Sequence, residues 1–380
     1  MIRIAVLVGV SGCAVLPLGG DDTGSETGSV TPSGGTAGGG DYDALVAALD
    51  ANKSQFGGEE VGEMYPAGDS IYWLEYRAWD PTLHGLDTTG GAQIDYAAPL
   101  RFDSLNVRVD AASVAYAELA SGKVVYHLYD SAKANRELTT VSLPAPTDGT
   151  RWYAYANDGT DLYYVTAATS ADPKTRLFRV PEGGEPEQVT TLESAGAEIG
   201  EFWDFGVDGD TMVFIESGRI WSLDLASNRA EWLGNQMQVQ GTITFTDDGV
   251  LFTAYDGTLD VPWFFDTATR TLTNVAESIA ASTDRVPGVS AISRQYQQDI
   301  TRWRDWYVYV GNDGVFAFHP DTGEIVPVLL EPRSATLRIE YRYPVVTDNG
   351  RLYVTGLESE SGSVGADGPI WEVDLAALLD

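Results

Sequence analysis

Short runs of alternating apolar and polar residues, rich in aromatic side chains, recur from about residue 58 to the end of the chain. The clearest unit covers 202–234. In it the apolar runs FWDF, MVFI and IWSLD are separated by turns at Asp208–Asp210 and Ser217–Gly218. A period of two residues, with turn residues between the runs, predicts β-strands joined by hairpins. The sequence therefore predicts an all-β domain over 58–380.

The strand pattern repeats with a period close to that of a propeller blade. Seven copies align by their first turn, at Gly68, Asp110, Gly159, Gly209, Gly249, Asp305 and Gly350. Units of about 47 residues with four strands each are typical of β-propellers, in which every blade packs against its neighbours. The pattern predicts one propeller of seven four-stranded blades, with six or eight blades left open. The last copy contains only three strands. A strand borrowed from 50–60 is one way to close the ring, but the sequence does not show it.

The turns that follow the third strand add a resemblance to known repeats. Asp224–Asn228, Asp266–Arg270 and Asp321–Glu324 resemble the Asp-x-x-Thr-Gly turns of TolB-like and quinoprotein-like propellers. The resemblance implies architecture rather than activity. Only Trp232 lies where quinoprotein repeats have their recurring tryptophan, so it does not imply a quinone cofactor.

The N-terminus has the outline of an export signal. A basic start is followed by the apolar run Ile4–Val10, and Val10-Ser11-Gly12-Cys13 resembles the lipobox of bacterial lipoproteins. The resemblance implies a signal peptide over 1–12 and lipidation of Cys13, which would place the protein in the cell envelope, at the outer membrane or cell surface. Ordinary secretion after a cut near Gly20, or an unmodified cysteine, are the alternatives.

The next segment links this site to the predicted propeller. Residues 19–40 are almost entirely Gly, Ser, Thr and acidic side chains, a composition that predicts a flexible tether over 13–40. Tyr42, Leu45, Val46 and Leu49 then follow helical spacing. We expect a short helix over 41–57, with these four side chains on its buried face.

The charge of the chain limits the possible ligands. Lys and Arg number 23 against 56 Asp and Glu, giving a formal net charge of -33. This excess of negative charge disfavours binding of nucleic acid and of anionic lipid headgroups, so we expect membrane contact through the lipid anchor only.

No cofactor is predicted. Calcium remains open at Asp247–Asp248 and Asp208–Asp210, although turn formation also explains these acids.

No pattern in the sequence assigns a catalytic residue. The motifs HExxH, CxxC and a GxSxG nucleophile elbow are all missing from the sequence. Of the three histidines, His127 and His319 alternate within predicted strands, whereas His84 lies in a less regular stretch. The metal content and enzyme status are therefore not determined, and a non-enzymatic role is favoured.

Two long segments indicate a recognition surface. We expect 78–97 in the first blade and 356–369 in the last to be loops, and ring closure would bring them together on one face. The connection 276–300 would approach that face from one side. The predicted surface consists of Trp79, Asp80, His84, Asp87, Glu358, Glu360 and Asp367. Tolerated insertions without function are the alternative.

These patterns favour a monomeric binding or scaffold protein of the envelope that recognises a protein or glycan through one propeller face. A lyase or hydrolase with carboxylates in the central channel is the alternative. It would require acidic groups to converge on the innermost strands. Membership of an envelope assembly, as the TolB-like resemblance implies, is a third reading.

Overall fold

The computed structural model describes most of the chain after residue 38. The described residues are 39–56, 61–77, 80–91, 93–95, 105–109, 113–130, 136–144, 154–166, 174–199, 202–234, 238–246, 248–255, 260–283, 300–311, 313–331, 337–360 and 367–379. The predicted signal peptide, Cys13, nearly all of the predicted tether and Trp79 lie outside these ranges.

The described residues form seven antiparallel sheets of four strands, which confirms the predicted seven-bladed propeller. Blade I contains β2 (Val61–Ala67), β3 (Ser70–Arg77), β4 (Asp80–Asp87) and β5 (Gln93–Asp95). Blade II contains β6 (Leu105–Val109), β7 (Ser113–Ala120), β8 (Lys123–Asp130) and β9 (Glu137–Pro144). Blade III contains β10 (Tyr155–Asn157), β11 (Leu162–Thr166), β12 (Arg176–Val180) and β13 (Glu187–Thr191).

The second half of the ring follows the same order. Blade IV contains β14 (Phe202–Asp208), β15 (Thr211–Glu216), β16 (Arg219–Asp224) and β17 (Arg229–Trp232). Blade V contains β18 (Gln238–Thr246), β19 (Gly249–Tyr255), β20 (Asp260–Asp266) and β21 (Thr271–Asn274). Blade VI contains β22 (Ile300–Trp303), β23 (Trp306–Gly311), β24 (Gly314–His319) and β25 (Glu324–Leu330). Blade VII contains β26 (Leu337–Val346), β27 (Arg351–Glu360), β28 (Asp367–Asp374) and, from the start of the domain, β1 (Lys53–Phe56).

Ring closure depends on β1, the first strand of the chain. Residues Lys53 to Phe56 pair antiparallel with Val373 to Ile370 of β28 and supply the fourth strand of blade VII. The Lys53 ammonium also lies 4.6 Å from the ring centre of Trp371. The propeller thus includes residues before the expected boundary at 58, and the last blade needs both ends of the domain.

The first strand of each blade is innermost in the ring. β2 contacts β6 and β26, β6 contacts β10, and β10 and β18 both contact β14.

The first-to-second-strand connections fall where the sequence predicts them, and at Gly68, Gly159, Gly209 and Gly350 a glycine adopts a positive φ. Adding a Cβ at Gly350 would place it 2.6 Å from the Trp303 side chain, so both the backbone and the packing require glycine there.

Three helices complete the described structure: α1 (Gly39–Asp50), α2 (Val275–Thr283) and α3 (Leu375–Leu379). α1 ends earlier than the predicted 41–57 because the chain turns at Ala51 and Asn52 into β1. Val46 and Leu49 pack with blades V and VI, but Leu45 is 41% exposed, so its expected burial is wrong. Among the described residues no helix combines the length and apolar character needed to cross a membrane.

The closing strand leads to a stability prediction. Removing residues 1–56 deletes β1 and the buried side chains of Val46 and Leu49, and it leaves the edge of β28 open. We expect the free energy of unfolding to fall by roughly 3–6 kcal/mol, since two buried aliphatic side chains and a strand pairing are lost. Urea unfolding measures the effect. Removing only residues 1–38 is the matched control and should leave the transition unchanged; equal stability of both truncations would contradict the role of β1.

Candidate functional site

The two ends of the blades define two faces of the propeller. The upper face carries the second-to-third-strand hairpins, such as β3–β4 and β27–β28. The lower face carries the first-to-second-strand turns, such as those at Gly68 and Gly350. Blades I and VII are neighbours, since β2 contacts β26 and the Asp348 amide donates to the Gly68 carbonyl at 2.9 Å. We call their junction the closing seam.

Four of the predicted surface residues lie at the upper end of the closing seam. Asp80 begins β4, Glu358 and Glu360 lie in the last four residues of β27, and Asp367 begins β28. Their backbone positions are therefore on the same face of adjacent blades.

Asp87 and His84 do not belong to that upper group. Asp87 ends β4 and lies about 23 Å along the strand from Asp80, at the lower face. Its Oδ1 accepts bonds from the amides of Thr89 and Gly90 and from the Thr89 hydroxyl, and these bonds lower the pKa of Asp87. His84 lies in the middle of β4. The expectation that both share one loop surface with Asp80 is wrong.

The expected long loops are largely strands. Most of 78–97 forms β4 and β5, and in 356–369 β27 continues to Glu360 and β28 begins at Asp367. The first part of 276–300 forms α2. Pro81 and Gly85 hid the strand character of β4 from the sequence. Proline is tolerated there because, within the described residues, β5 pairs only with His84–Leu86.

β26 and β27 form the longest strand pair among the described residues, and we call this pair the ribbon. Each contains ten residues, whereas the second strands of the other blades contain five to eight. Pairing continues to Leu337 opposite Glu360. β27 is two residues longer than the second strands of blades I and II, which corresponds to roughly 7 Å at the upper face.

Below the upper face of the closing seam, a histidine and a glutamate form a pair. His84 Nε2 lies 3.0 Å from Glu75 Oε2, and the Glu75 side chain is only 8% exposed. The His84 ring stacks on Trp73 with 5.4 Å between ring centres. A buried carboxylate requires a hydrogen-bonding partner, and the histidine supplies one.

The same geometry occurs in blade II. His127 stacks on Tyr116 at 4.9 Å, and its Nε2 lies 3.5 Å from Glu118. His127 Nδ1 also lies 2.7 Å from Glu137 Oε1. The sequence contains a signal for this repeat: an aromatic residue, a glutamate two positions later, and a histidine 11 positions after the aromatic, in both blades.

Register explains why these histidines are tolerated inside the ring. Each lies directly opposite the fourth residue of its blade's second strand. At the same register the third strands of blades IV to VII carry Trp221, Trp263, Phe316 and Trp371, and in blade III Phe178 lies opposite the third residue of β11. The histidines thus replace an aromatic ring in a repeated packing position between blades. Blade IV keeps the glutamate, as Glu216, and pairs it with Arg219 at 2.6 Å.

A second polar group lies on the innermost strands. Arg108 of β6 donates from Nη2 to Asp204 Oδ1 of β14 at 2.5 Å. This bond connects blades II and IV past blade III. Burial acts to lower the pKa of Arg108, but Asp204 and the phenols of Tyr155 and Tyr65 outweigh it and the pKa is raised. The described contacts bring one carboxylate into this group, so the enzyme alternative with converging carboxylates is not favoured.

The lower face of the closing seam holds a cavity of about 580 Å³. Its lining residues are Thr88, Thr89, Asn349, Arg351, Asp374, Ala376 and Ala377. The polar groups largely bond to one another: Asn349 Nδ2 donates to Thr88 Oγ1 at 2.7 Å, and Arg351 Nη2 lies 3.2 Å from Asp374 Oδ2. The Asn349–Thr88 bond connects blades I and VII, whereas the Arg351–Asp374 pair lies within blade VII.

Asp247, one of the acids considered for calcium, lies outside the described residues, so calcium binding stays a prediction. Within the described residues, no three His, Cys, Asp or Glu side chains are grouped to hold a metal ion. Asp248 pairs with Arg302 at 2.5 Å, and the Arg302 guanidinium lies 4.1 Å from the Phe264 ring centre. His319 ends β24, as its alternation predicts, and meets Trp306 edge to face.

Comparisons with known proteins return likenesses of fold. No family model and no curated protein matches the chain. An acylaminoacyl peptidase structure is 9% identical, with a TM-score of 0.49, over 80% of this chain and 51% of that one. The propeller domain of the Trilobed protease from Pyrococcus furiosus is 10% identical, with a TM-score of 0.47, over 71% and 81%. The extracellular domain of a putative hybrid two-component system from B. thetaiotaomicron is 8% identical, with a TM-score of 0.48, over 85% and 39%.

This chain therefore spans about half of the peptidase and less than half of the two-component protein. The strand pairing establishes the propeller, and these likenesses carry no functional argument.

The Glu75–His84 pair leads to a double-mutant prediction. His84→Phe restores the ring found in other blades but removes the hydrogen bond to the buried Glu75, so we expect a loss of about 1–3 kcal/mol in unfolding free energy. Adding Glu75→Thr reproduces the Thr166 and Phe178 combination of blade III and should recover most of the loss. Urea unfolding of both single variants and the double variant measures the coupling. Additive losses would contradict a direct pairing.

Proposed function

We propose that this protein is a lipid-anchored binding or scaffold protein of the cell envelope, recognising a protein or glycan through its upper face. The observation that carries the proposal is the β26–β27 ribbon, the longest strand pair among the described residues, whose end lies at the upper face of the closing seam. Asp80, Glu358, Glu360 and Asp367 lie at the upper ends of their strands beside it. This ribbon is the proposed recognition edge.

The rigidity of the closing seam supports this role. β1 pairs with β28, and the turns after β2 and β26 are bonded to each other through Asp348 and Gly68. A ribbon held by such a frame loses little conformational entropy on binding, which favours affinity. The net charge of -33 favours a partner with a neutral or basic surface.

The envelope address rests on the sequence Val10-Ser11-Gly12-Cys13. Its resemblance to a lipobox supports a mature N-terminus at Cys13 that carries two acyl chains. Two chains are sufficient for stable anchoring, because a single chain binds the membrane only weakly. The acidic charge disfavours direct adsorption to anionic headgroups, so the anchor provides the membrane contact. Calcium and other cofactors are not part of the proposal.

The anchor predicts a change in mass and partitioning. Expressed in a bacterial host, the wild-type protein should begin at Cys13, carry acyl mass and enter the detergent phase. Cys13→Ala should lack the acyl mass and remain in the aqueous phase. Intact mass spectrometry with detergent partitioning measures both. A soluble wild-type protein cut near Gly20 would instead establish ordinary secretion.

The upper face predicts a charge-dependent interaction. Glu358→Lys with Glu360→Lys reverses two charges on the ribbon, which should weaken capture of a defined envelope partner by about tenfold or more. Cross-linking and pull-down from the native envelope identify the partner, and a binding titration with the purified partner measures the effect.

Glu185→Lys with Glu187→Lys is the matched control, because both residues are exposed on blade III, away from the closing seam. It makes the same change in net charge. Equal weakening by both double variants would show a non-specific charge effect and contradict recognition by the ribbon.

A further inference from the structure

The cavity at the lower face of the closing seam is large enough for a small ligand. Its volume is about 580 Å³, which is typical of small-molecule sites. Some of its polar groups are occupied by the fold: the Thr88 hydroxyl donates to the Asp69 carbonyl at 2.6 Å and accepts from Asn349. The Thr89 hydroxyl donates to Asp87 at 2.7 Å, and its oxygen can still accept a bond from a ligand.

The charges at this cavity do not balance. Arg351 lies between two carboxylates: its Nη2 is 3.2 Å from Asp374 Oδ2, and its Nη1 is 3.4 Å from Glu372 Oε1. One guanidinium thus faces two carboxylates, and the side chains of Arg351, Asp374 and Glu372 are 39%, 38% and 26% exposed. The remaining negative charge favours a cation over an anion here, and the net charge of -33 acts in the same direction.

The cavity wall indicates which kind of cation fits. The Ala377 amide donates to Asp374 Oδ1 at 3.0 Å and fixes the carboxylate in the wall, where Oδ2 remains exposed to the cavity. The methyl groups of Ala376 and Ala377 provide an apolar strip beside it. A primary ammonium has three donors and no acceptor, and the methylene chain that carries it packs on apolar surface. Such a group can donate to Asp374 and Thr89 while its chain lies against the two alanines.

We propose that this cavity binds a primary aliphatic amine, either a free linear polyamine or the lysine side chain of a partner protein. The site lies on the lower face, apart from the ribbon, so it does not depend on recognition by the upper face. Its ligand is selected by one uncompensated carboxylate, a hydroxyl acceptor and an apolar strip for methylene groups.

The test uses the full-length protein in detergent at about 150 mM salt, which screens long-range attraction to the acidic surface. Cadaverine and spermidine represent free amines, and an Nα-acetyl-lysine amide represents a lysine side chain. Pentanediol has the chain of cadaverine without its charge, and ammonium chloride has the charge without a chain. Saturation-transfer NMR detects binding of the organic probes, and calorimetry gives Kd for all of them. We expect at least one amine to bind more tightly than both comparison compounds.

Two substitutions in the cavity wall should weaken amine binding. Asp374→Asn removes the charge that faces the ammonium and should raise Kd about tenfold, the effect of one lost hydrogen bond between charged groups. Ala377→Leu fills the space beside the apolar strip and should also raise Kd. Ala377 is exposed, so the leucine variant keeps the test decisive if Asp374→Asn fails to fold, which circular dichroism checks.

Asp210→Asn is the matched control, because it removes one exposed carboxylate from the lower face of blade IV, away from the closing seam. It makes the same change in net charge as Asp374→Asn and should leave Kd unchanged. Equal weakening by both variants would show attraction to the acidic surface as a whole and would contradict a specific site.

The remaining outcomes are equally distinct. Binding of cadaverine or spermidine alone would support a free polyamine, and binding of the lysine derivative alone would support a protein partner. The inference fails if no amine binds, if pentanediol or ammonium binds as tightly as the amines, or if the folded wall variants bind amines as the wild type does.

Discussion

The pairing of β1 with β28 is the contact on which the rest of the structure depends. Four residues near the start of the domain complete the last blade, and the ring then brings blades I and VII together. Without this pairing, blade VII would lack its fourth strand, and the sheet that contains β26 and β27 would end at the unpaired edge of β28. The proposed recognition edge is therefore a product of long-range closure rather than of one local hairpin.

One position on the third strand recurs from blade to blade, but the type of side chain at that position differs between blades. Opposite the fourth residue of the second strand, four blades place an aromatic ring on the third strand, and blades I and II place His84 and His127. An imidazole ring fills similar space but brings two nitrogens, so in blade I the nearby Glu75 can be buried. In blade IV the fully buried Glu216 is paired with Arg219 instead of a histidine.

The sequence predicted the blades well because strands and turns leave local signals. Glycine with positive φ at Gly68 and Gly350, and alternating runs such as MVFI, depend on backbone preferences within a few residues. The closing strand KSQF has a weak local signal, because its pairing with β28 is set by partners over 300 residues away. Pro81 and Gly85 disfavour a strand locally, so the sequence predicts a loop where β4 forms. Pairing with β3 along the whole of β4 overrides that preference.

The candidate sites were less predictable for the same reason. Asp80 and Asp87 are the first and last residues of an eight-residue strand, so they lie on opposite faces of the propeller although they are close in sequence. Arg108 and Asp204 are 96 residues apart and meet only when the innermost strands are arranged around an axis. The sequence contains the same spacing twice, in Trp73, Glu75 and His84 and in Tyr116, Glu118 and His127. Only the strand register shows that each histidine lies opposite the aromatic residue of its set.

Amide hydrogen exchange of β1 and β28 tests ring closure most directly. If the first strand closes the propeller, peptides covering Lys53–Phe56 and Ile370–Val373 should exchange about as slowly as the central strands β15 and β16 of blade IV. Exchange of the β28 peptides at the rate of an open edge strand, together with fast exchange throughout β1, would contradict closure and the rigid frame assigned to the recognition edge.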